Sequence, residues 1–178
     1  RWAKASPRRP SASPRAWVRS ATSAFNLEVS AQRFPDKPAY LFFGRALSFR
    51  ELQAQSLAIA GWLQAAGVRK GDRASLFMQN CPQYVAALYG ILRADAVVVP
   101  VNPMNKADEF GHYITDSGAR IVITTADLAA IVAQADAQLS AAQRLRELVV
   151  THFTDAMPEG PLDPAEEPIA PILQWLRA

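Results

Sequence analysis

The strongest constraint on the fold is an unbroken apolar run, Val97–Val101, in which three valines are followed by Pro100 and a fourth valine. A half-exposed strand alternates apolar and polar residues, so a run without alternation indicates a strand buried on both faces, as in parallel sheets. Similar runs occupy residues 74–78, 120–124 and 147–151, and helical patterns fill the intervals between them. This spacing predicts βαβ crossovers and an α/β fold with a parallel sheet, and we take Val97–Val101 as an inner strand of it.

Before this sheet, the chain shows a helix and a small hairpin. Asn26 is positioned to cap a helix over residues 27–34. Residues 39–43 predict a strand, which turns at Gly44-Arg45 and returns at residues 46–47.

Two longer helices flank the first buried run. Ser48 and Glu51 have the spacing of a capping box, and Gly67 ends the helix that they begin. The next helix, residues 82–94, is apolar on nearly every side. Such a helix must be covered from more than one direction. We therefore expect the isolated chain to expose part of it and to self-associate, for example as a homodimer.

Two further helices are predicted after Val97–Val101. Asn105 is expected to cap a helix with Asp108 in its first turn, and Gly118 ends it. An alanine-rich pattern predicts a further helix over residues 127–138.

Charge and proline content divide the chain into three parts. Residues 1–25 form a basic arm with six Lys or Arg and no acid, which we expect to be disordered. Residues 26–152 form the α/β segment. Residues 153–178 form a proline-rich, extended tail, with one possible helical turn at residues 172–176.

Composition excludes several classes of protein. No segment approaches the roughly 18 consecutive apolar residues of a membrane helix. The single Cys81 rules out an internal disulfide. Three prolines in the basic arm argue against the amphipathic helix of a transit peptide. Outside the arm, acids outnumber bases by 16 to 13, which argues against general nucleic-acid binding.

Asp108, His112 and Asp116 are spaced to share one helical face and could be drawn as a metal site. Phe110, Tyr113, Ile114 and Ser117 cluster on the opposite face. The acidic face is therefore expected to face solvent, and we assign no metal ligand.

The other candidate functional residues are expected to have structural roles. His152 has no partner in sequence, and Arg69-Lys70 is expected to be a solvated turn. Cys81 precedes the helix over residues 82–94, where a helix N-terminus lowers a thiol pKa, but no general base is near in sequence. We expect a buried, inert thiol. No Gly-x-Gly-x-x-Gly, Walker loop, serine elbow or zinc spacing occurs in the sequence.

Five sequence pieces, taken together, resemble the N-terminal part of the adenylate-forming acyl-CoA synthetases, most closely the fatty-acyl-CoA ligases. The pieces are LSFREL from Leu47, GVRKGDR from Gly67, MQNCPQ from Met78, ILRADAVVVPVNP from Ile91 and DSGAR from Asp116. The resemblance covers residues 26–125 and implies that the chain is a partial N-terminal subdomain of that fold.

The resemblance also implies an activity for the parent protein. Members of this family activate a carboxylate with ATP and magnesium and pass the acyl adenylate to coenzyme A. The resemblance therefore implies a cytoplasmic enzyme. Peripheral membrane association of the parent is a further option. Their phosphate loop, ribose-binding aspartate and catalytic lysine lie beyond the matched pieces. No catalytic, cofactor-binding or metal-binding residue is therefore assigned, and we expect the fragment to bind no cofactor.

Asn102, Pro103 and Met104 leave Val97–Val101 at the carboxyl edge of the sheet, where open α/β folds bind ligands, so we expect them to form a wall of the parent's site. Asp95 stands where the family has glycine, which permits positive φ at no steric cost, so we expect Asp95 to cap or to turn the chain there rather than to take part in chemistry.

Two alternatives to a ligase fragment remain open from the sequence. The first is a stand-alone α/β interaction module without catalysis. The second is a domain whose basic arm reaches a nucleic acid or a membrane surface.

Overall fold

The structure is a computed structural model that describes residues 23–157. In chain order, its elements are α1 (Ser23–Arg33), β1 (Pro38–Phe42), β2 (Arg45–Ser48), α2 (Phe49–Ala65), β3 (Arg73–Phe77), α3 (Pro82–Arg93), β4 (Val97–Val101), α4 (Ala107–Ser117), β5 (Ile121–Thr125), α5 (Ala126–Gln138), β6 (Glu147–Thr151) and a 3-10 helix (Phe153–Ala156).

The centre of the fold is a four-stranded parallel sheet with the strand order β4-β3-β5-β6. Ala74 of β3 is in register with Val98 of β4 and Ile121 of β5, and Ile121 is in register with Glu147 of β6. The antiparallel hairpin β1-β2 forms a separate sheet. The predicted α/β class, with βαβ crossovers and a small hairpin, is confirmed.

Each face of the sheet carries its own apolar core because the crossover helices lie on both faces. On one face, Leu63 of α2 and Ile91 of α3 pack with Ile123 and its neighbours. On the other face, Phe110 of α4 packs on Phe77, with ring centroids 4.5 Å apart. The helix α3 therefore lies opposite α4 and α5.

The prediction that Val97–Val101 is an inner strand is wrong for the described part of the chain. β4 pairs with β3 alone and lies at one edge of the sheet, and Val97 is 47% exposed. The central strand β5 is instead buried at every residue. Pro100 is compatible with this arrangement, because proline has no N–H to donate and is confined largely to edge strands.

The hairpin turn lies one residue earlier than predicted. Phe42 is in register with Arg45, so the two-residue loop is Phe43-Gly44 rather than Gly44-Arg45. Both loop residues have positive φ, 45° at Phe43 and 80° at Gly44. Two positive φ values are typical of the tight hairpin turns whose twist matches that of the strands.

The capping box of α2 is confirmed. The backbone N–H of Glu51 donates to Ser48 Oγ at 3.2 Å, and the backbone N–H of Ser48 donates to Glu51 Oε2 at 2.8 Å. At the end of α4, Gly118 adopts the left-handed conformation with φ 69°, as the sequence predicts.

Both predicted asparagine caps are wrong. The helix α1 begins at Ser23, so Asn26 lies within it. The cap of α4 is Lys106, whose backbone N–H donates to Glu109 Oε2 at 2.8 Å. A glutamate three residues after the cap satisfies the same N–H that a capping box satisfies, so the side chain of Asn105 is not needed for capping.

The apolar helix α3 receives its cover from the chain itself. Every residue of α3 is buried or half-buried, because α1 and α2 pack against it in addition to the sheet. Arg93, whose side chain is 9% exposed, joins α3 to α1 through Glu28, with 2.7 Å between Nη1 and Oε1. The expectation that α3 lacks cover in this chain is therefore wrong.

The predicted tail begins with ordered structure. Phe153–Ala156 form the 3-10 helix, and Ala156 and Met157 are buried. Residues 1–22 of the basic arm, and residues 158–178 with the predicted turn at 172–176, lie outside the described residues.

Candidate functional site

The carboxyl ends of the four parallel strands meet at one edge of the sheet, and the crossover direction changes between β3 and β5. The β3 strand continues through α3 to β4 on one side, whereas β5 continues through α5 to β6 on the other. Ligands of open α/β folds bind at such a switch point. Here the hydroxyl of Thr124 donates to the carbonyl oxygen of Phe77 at 2.6 Å and ties the two strand ends together.

The predicted wall residues lie at this edge, in a compact turn after β4. Asn102 Oδ1 accepts from the backbone N–H of Met104 at 3.0 Å, and the carbonyl of Asn102 accepts from the N–H of Asn105 at 3.0 Å. Asn102 is exposed, Pro103 is half-buried and Met104 is 77% exposed. A wall role for these three residues stays a prediction.

An apolar groove of about 730 Å³ lies elsewhere, between the hairpin, α2, α3, β6 and the 3-10 helix. Ile59 and Trp62 of α2, Ala86 of α3 and Leu148–Thr151 of β6 supply much of its lining. Asn102, Pro103 and Met104 do not line it. No sequence motif indicates this groove, because its lining comes from several elements that are distant from one another in the sequence.

The few polar groups in the groove mainly hold its walls together. Gln83 Nε2 donates to the carbonyl of His152 at 2.8 Å, which ties α3 to the end of β6. Asp155 Oδ2 accepts from Thr151 Oγ1 at 2.9 Å and from the N–H of His152 at 2.8 Å. Arg45 Nη1 donates to the carbonyl of Asp155 at 3.5 Å. These contacts hold the fold together, whereas Gln83 Oε1 is buried and has no hydrogen-bond partner among the described residues.

Cys81 is the buried thiol that the sequence predicts. The residue is 6% exposed, and its Sγ lies 3.9 Å from Met78 Sδ. Burial raises the pKa of the Cys81 thiol, and the backbone N–H groups of Tyr84 and Gln83 offset this only in part. A raised pKa keeps the sulfur protonated, which is the inert state.

The remaining candidates are at the surface, as the sequence indicates. Asp108, His112 and Asp116 are exposed on α4. Within residues 23–157, no cluster of three or more His, Cys, Asp or Glu side chains could hold a metal ion. Tyr113, expected on the covered face, is 44% exposed.

The two other surface candidates agree with their predictions. His152 is exposed, and Arg69 and Lys70 lie in an exposed turn. In that turn, the N–H of Arg69 donates to Asp72 Oδ2 at 2.8 Å.

The described residues offer no glycine-rich loop of the kind that cradles phosphates. Their glycines with positive φ, Gly44, Gly67, Gly71 and Gly118, stand singly in separate turns. A phosphate cradle needs successive backbone N–H groups that converge on one point.

In the same part of the chain, no helix is both long and apolar enough to cross a membrane.

The fold and sequence together define the class of protein. Residues 27–174 match the family model of the AMP-binding enzymes, and the chain belongs to this family. The predicted resemblance is therefore confirmed.

The chain is also similar in sequence to particular enzymes, each over part of its length. The chain is 44% identical over 103 residues to the long-chain-fatty-acid–CoA ligase of Salmonella typhimurium, which is 57% of this chain and 18% of that enzyme. It is 35% identical over 137 residues to the feruloyl-CoA synthase of an Amycolatopsis species, or 77% of this chain and 25% of the relative. The chain thus spans about a fifth to a quarter of the length of these relatives.

Solved structures agree on the fold. The inhibitor-bound N-terminal domain of FACL13 from Mycobacterium tuberculosis superposes with a TM-score of 0.68 at 26% identity, covering 76% of this chain and 34% of that one. The Mycobacterium tuberculosis fatty acyl CoA synthetase gives 0.68 at 24% identity, covering 88% of this chain and 28% of that one. The α/β segment is therefore the N-terminal part of an adenylate-forming enzyme fold.

Proposed function

We propose that this chain is the N-terminal part of an ATP-dependent acid–CoA ligase whose substrate is a medium- or long-chain fatty acid. The parent converts the carboxylate and ATP to an acyl adenylate and pyrophosphate, and then transfers the acyl group to coenzyme A. The observation that carries the proposal is the family match over residues 27–174, together with 44% identity to a long-chain-fatty-acid–CoA ligase over 103 residues.

In this proposal, residues 23–157 supply scaffold rather than chemistry. Magnesium accompanies ATP in the parent, and its ligands are not assigned to the described residues. The parent works in the cytoplasm, with its acyl substrate delivered from solution or from a membrane surface. The turn Asn102–Met104 forms a wall of the substrate site at the carboxyl edge of the sheet.

The deciding experiment is fatty-acid-dependent exchange of labelled pyrophosphate into ATP, measured with the full-length protein across acids of increasing chain length. Exchange with medium or long acids supports the proposal. If only short or aromatic acids support exchange, the reaction stands and the substrate class is wrong. If no carboxylic acid supports exchange, the ligase proposal fails in favour of an interaction module without catalysis.

The wall role of Asn102 has a separate test in the full-length enzyme. Asn102→Ala removes the acceptor of the Met104 N–H and should raise KM or lower stability, because it loosens the turn. The rate of the chemical step should stay within about tenfold, equivalent to about 1.4 kcal/mol of barrier. Asn105→Ala, in the same loop but outside the predicted wall, is the control. A loss of kcat well beyond tenfold with unchanged KM would show that Asn102 acts in the chemistry.

A further inference from the structure

The apolar groove between α2 and β6 is open to solvent within residues 23–157. Ala58 and Trp62 of α2 line it and are exposed, Trp62 to 39%. Residues four apart on a helix are neighbours on one face, so these two side chains form an apolar strip along one wall. Across the groove, Val149 of β6 is half-buried. A groove of this size and apolar character suits an apolar ligand or an apolar segment of polypeptide.

The described part of the chain ends at the rim of this groove. Asp155 and Ala156 line the groove, and the next residue, Met157, is 4% exposed. Residues 158–178 therefore continue from a buried residue beside the groove. An extended chain spans about 3.3 Å per residue, so residues near the end of this stretch are connected by enough chain to reach any point of the groove.

The end of the chain supplies an apolar segment. Residues 172–176 have the sequence ILQWL, in which Gln174 is the one polar residue. Residues 158–171, which connect this segment to Met157, contain five prolines and four acids, a composition typical of linkers rather than of cores. The family match extends to residue 174, well beyond the groove rim. The sequence therefore places an apolar segment within the family's domain, on a linker that begins at an apolar groove.

We propose that Ile172–Leu176 of the same chain occupies the groove, with its apolar side chains against the strip formed by Ala58 and Trp62. A segment tethered to its site by a linker of suitable length has an effective concentration of roughly millimolar order. A second copy, or an apolar small molecule, has to compete from solution at a much lower concentration. The segment is then part of the α/β fold, and the groove is not an open ligand site in this chain.

Thiol labelling measures whether the groove is covered. Cys81→Ala removes the one native thiol, and Ala58→Cys then places a thiol on the groove wall. In the 178-residue chain, this thiol should react about tenfold or more slowly than in the same chain carrying Ile172→Ser, Leu173→Ser and Trp175→Ser. The reason is that a covered thiol reacts only when its cover opens. Circular dichroism and urea unfolding verify that each variant keeps the fold.

Two matched controls make the result specific. Gln64→Cys places the thiol on the exposed side of α2 that faces away from the groove, and its labelling rate should be the same with and without the three serines. Gln174→Ser changes the polar residue of the segment and should leave Ala58→Cys protected. Equal labelling of Ala58→Cys with and without the serines would overturn the proposal. Protection that weakens on dilution of the protein would also overturn it, because a second copy would then be the occupant.

The reciprocal experiment places the thiol on the segment. In the Cys81→Ala background, Leu173→Cys should be protected from labelling. Ala58→Glu should raise its labelling rate by about tenfold or more, because the segment would have to bury an unpaired charge. Gln64→Glu, on the other side of α2, should leave the rate unchanged. A protected Leu173→Cys that is not released by Ala58→Glu would show that the segment lies elsewhere and would contradict the proposal.

Discussion

At the scale of single residues, Asp95 illustrates how a departure from a family pattern is accommodated. Its φ is 57°, which is the left-handed region where glycine is the usual residue. Aspartate is among the few other residues that enter this region at low cost. The carbonyl of Asp95 accepts from the N–H of Gly71 at 2.9 Å, and its side chain is exposed. Asp95 therefore serves a turn, which is one of the two roles that the sequence predicts.

Glu51 couples the stability of α2 to pH. The N–H and hydroxyl of Ser48 donate to its carboxylate and hold the pKa of Glu51 below the ordinary value of 4.5. A lowered pKa in the folded state gives a stabilisation that is present above pH 4.5 and is lost as the pH falls through the folded-state value. The stability difference between wild type and Glu51→Gln should thus shrink below about pH 4.5, as followed by urea unfolding between pH 7 and pH 3.

The partner residue gives the matched measurement. Ser48→Ala removes both contacts of the hydroxyl and should lower the free energy of unfolding by about 1 kcal/mol at pH 7. Its effect and that of Glu51→Gln should be less than additive, because the two residues share one capping box. Fully additive losses would contradict a shared box.

At the scale of elements, the contact between α2 and α3 depends on Gly90. A Cβ at this position would lie 2.5 Å from Cγ2 and 2.7 Å from Cβ of Ile59, and 3.2 Å from the carbonyl oxygen of Ser56. Ile59 is β-branched and has little rotamer freedom in a helix, so it cannot move aside without shifting its backbone. The two helices approach this closely because position 90 has no side chain.

Gly90→Ala should therefore lower the free energy of unfolding by about 1–3 kcal/mol, the usual cost of overpacking. Gly61→Ala on α2 is the control, since no atom lies within 4 Å of a Cβ placed there. That substitution should instead raise stability by about 0.5–1 kcal/mol through helix propensity. Thermal unfolding of both variants measures the difference, and equal effects at the two positions would contradict the proposed contact.

At the scale of the whole molecule, local patterns predict the elements of the sheet, whereas its assembly depends on contacts distant in sequence. The apolar runs predict the bounds of β4 and β6 because apolar continuity is a local signal. They do not predict the position of β4 at the edge, because strand order depends on which strands pair across the fold. Pro100 is a local feature that is compatible with an edge. No local pattern predicts the groove for the same reason, since residues from Phe42 to Ala156 line it.

The 178-residue chain alone should not bind Mg-ATP. Its described residues have isolated glycines in turns rather than a phosphate cradle, and they contain no cluster of metal-ligating side chains. Calorimetric titration with Mg-ATP should give only heats of dilution. A micromolar Kd would show that residues in this chain form a nucleotide site of their own.

The reaction of the buried Cys81 thiol with an added reagent measures motions that expose the thiol to solvent. It is the one thiol in the sequence, and it lies beneath the start of α3 against the sheet. A thiol reagent can react with it only when this region opens, so the labelling rate falls about tenfold for each 1.4 kcal/mol of opening free energy. Labelling should be slow in the native chain, fast in urea, and accelerated by Gly90→Ala, which strains the same helix. The reactivity of this single sulfur therefore measures how often the core beneath α3 opens.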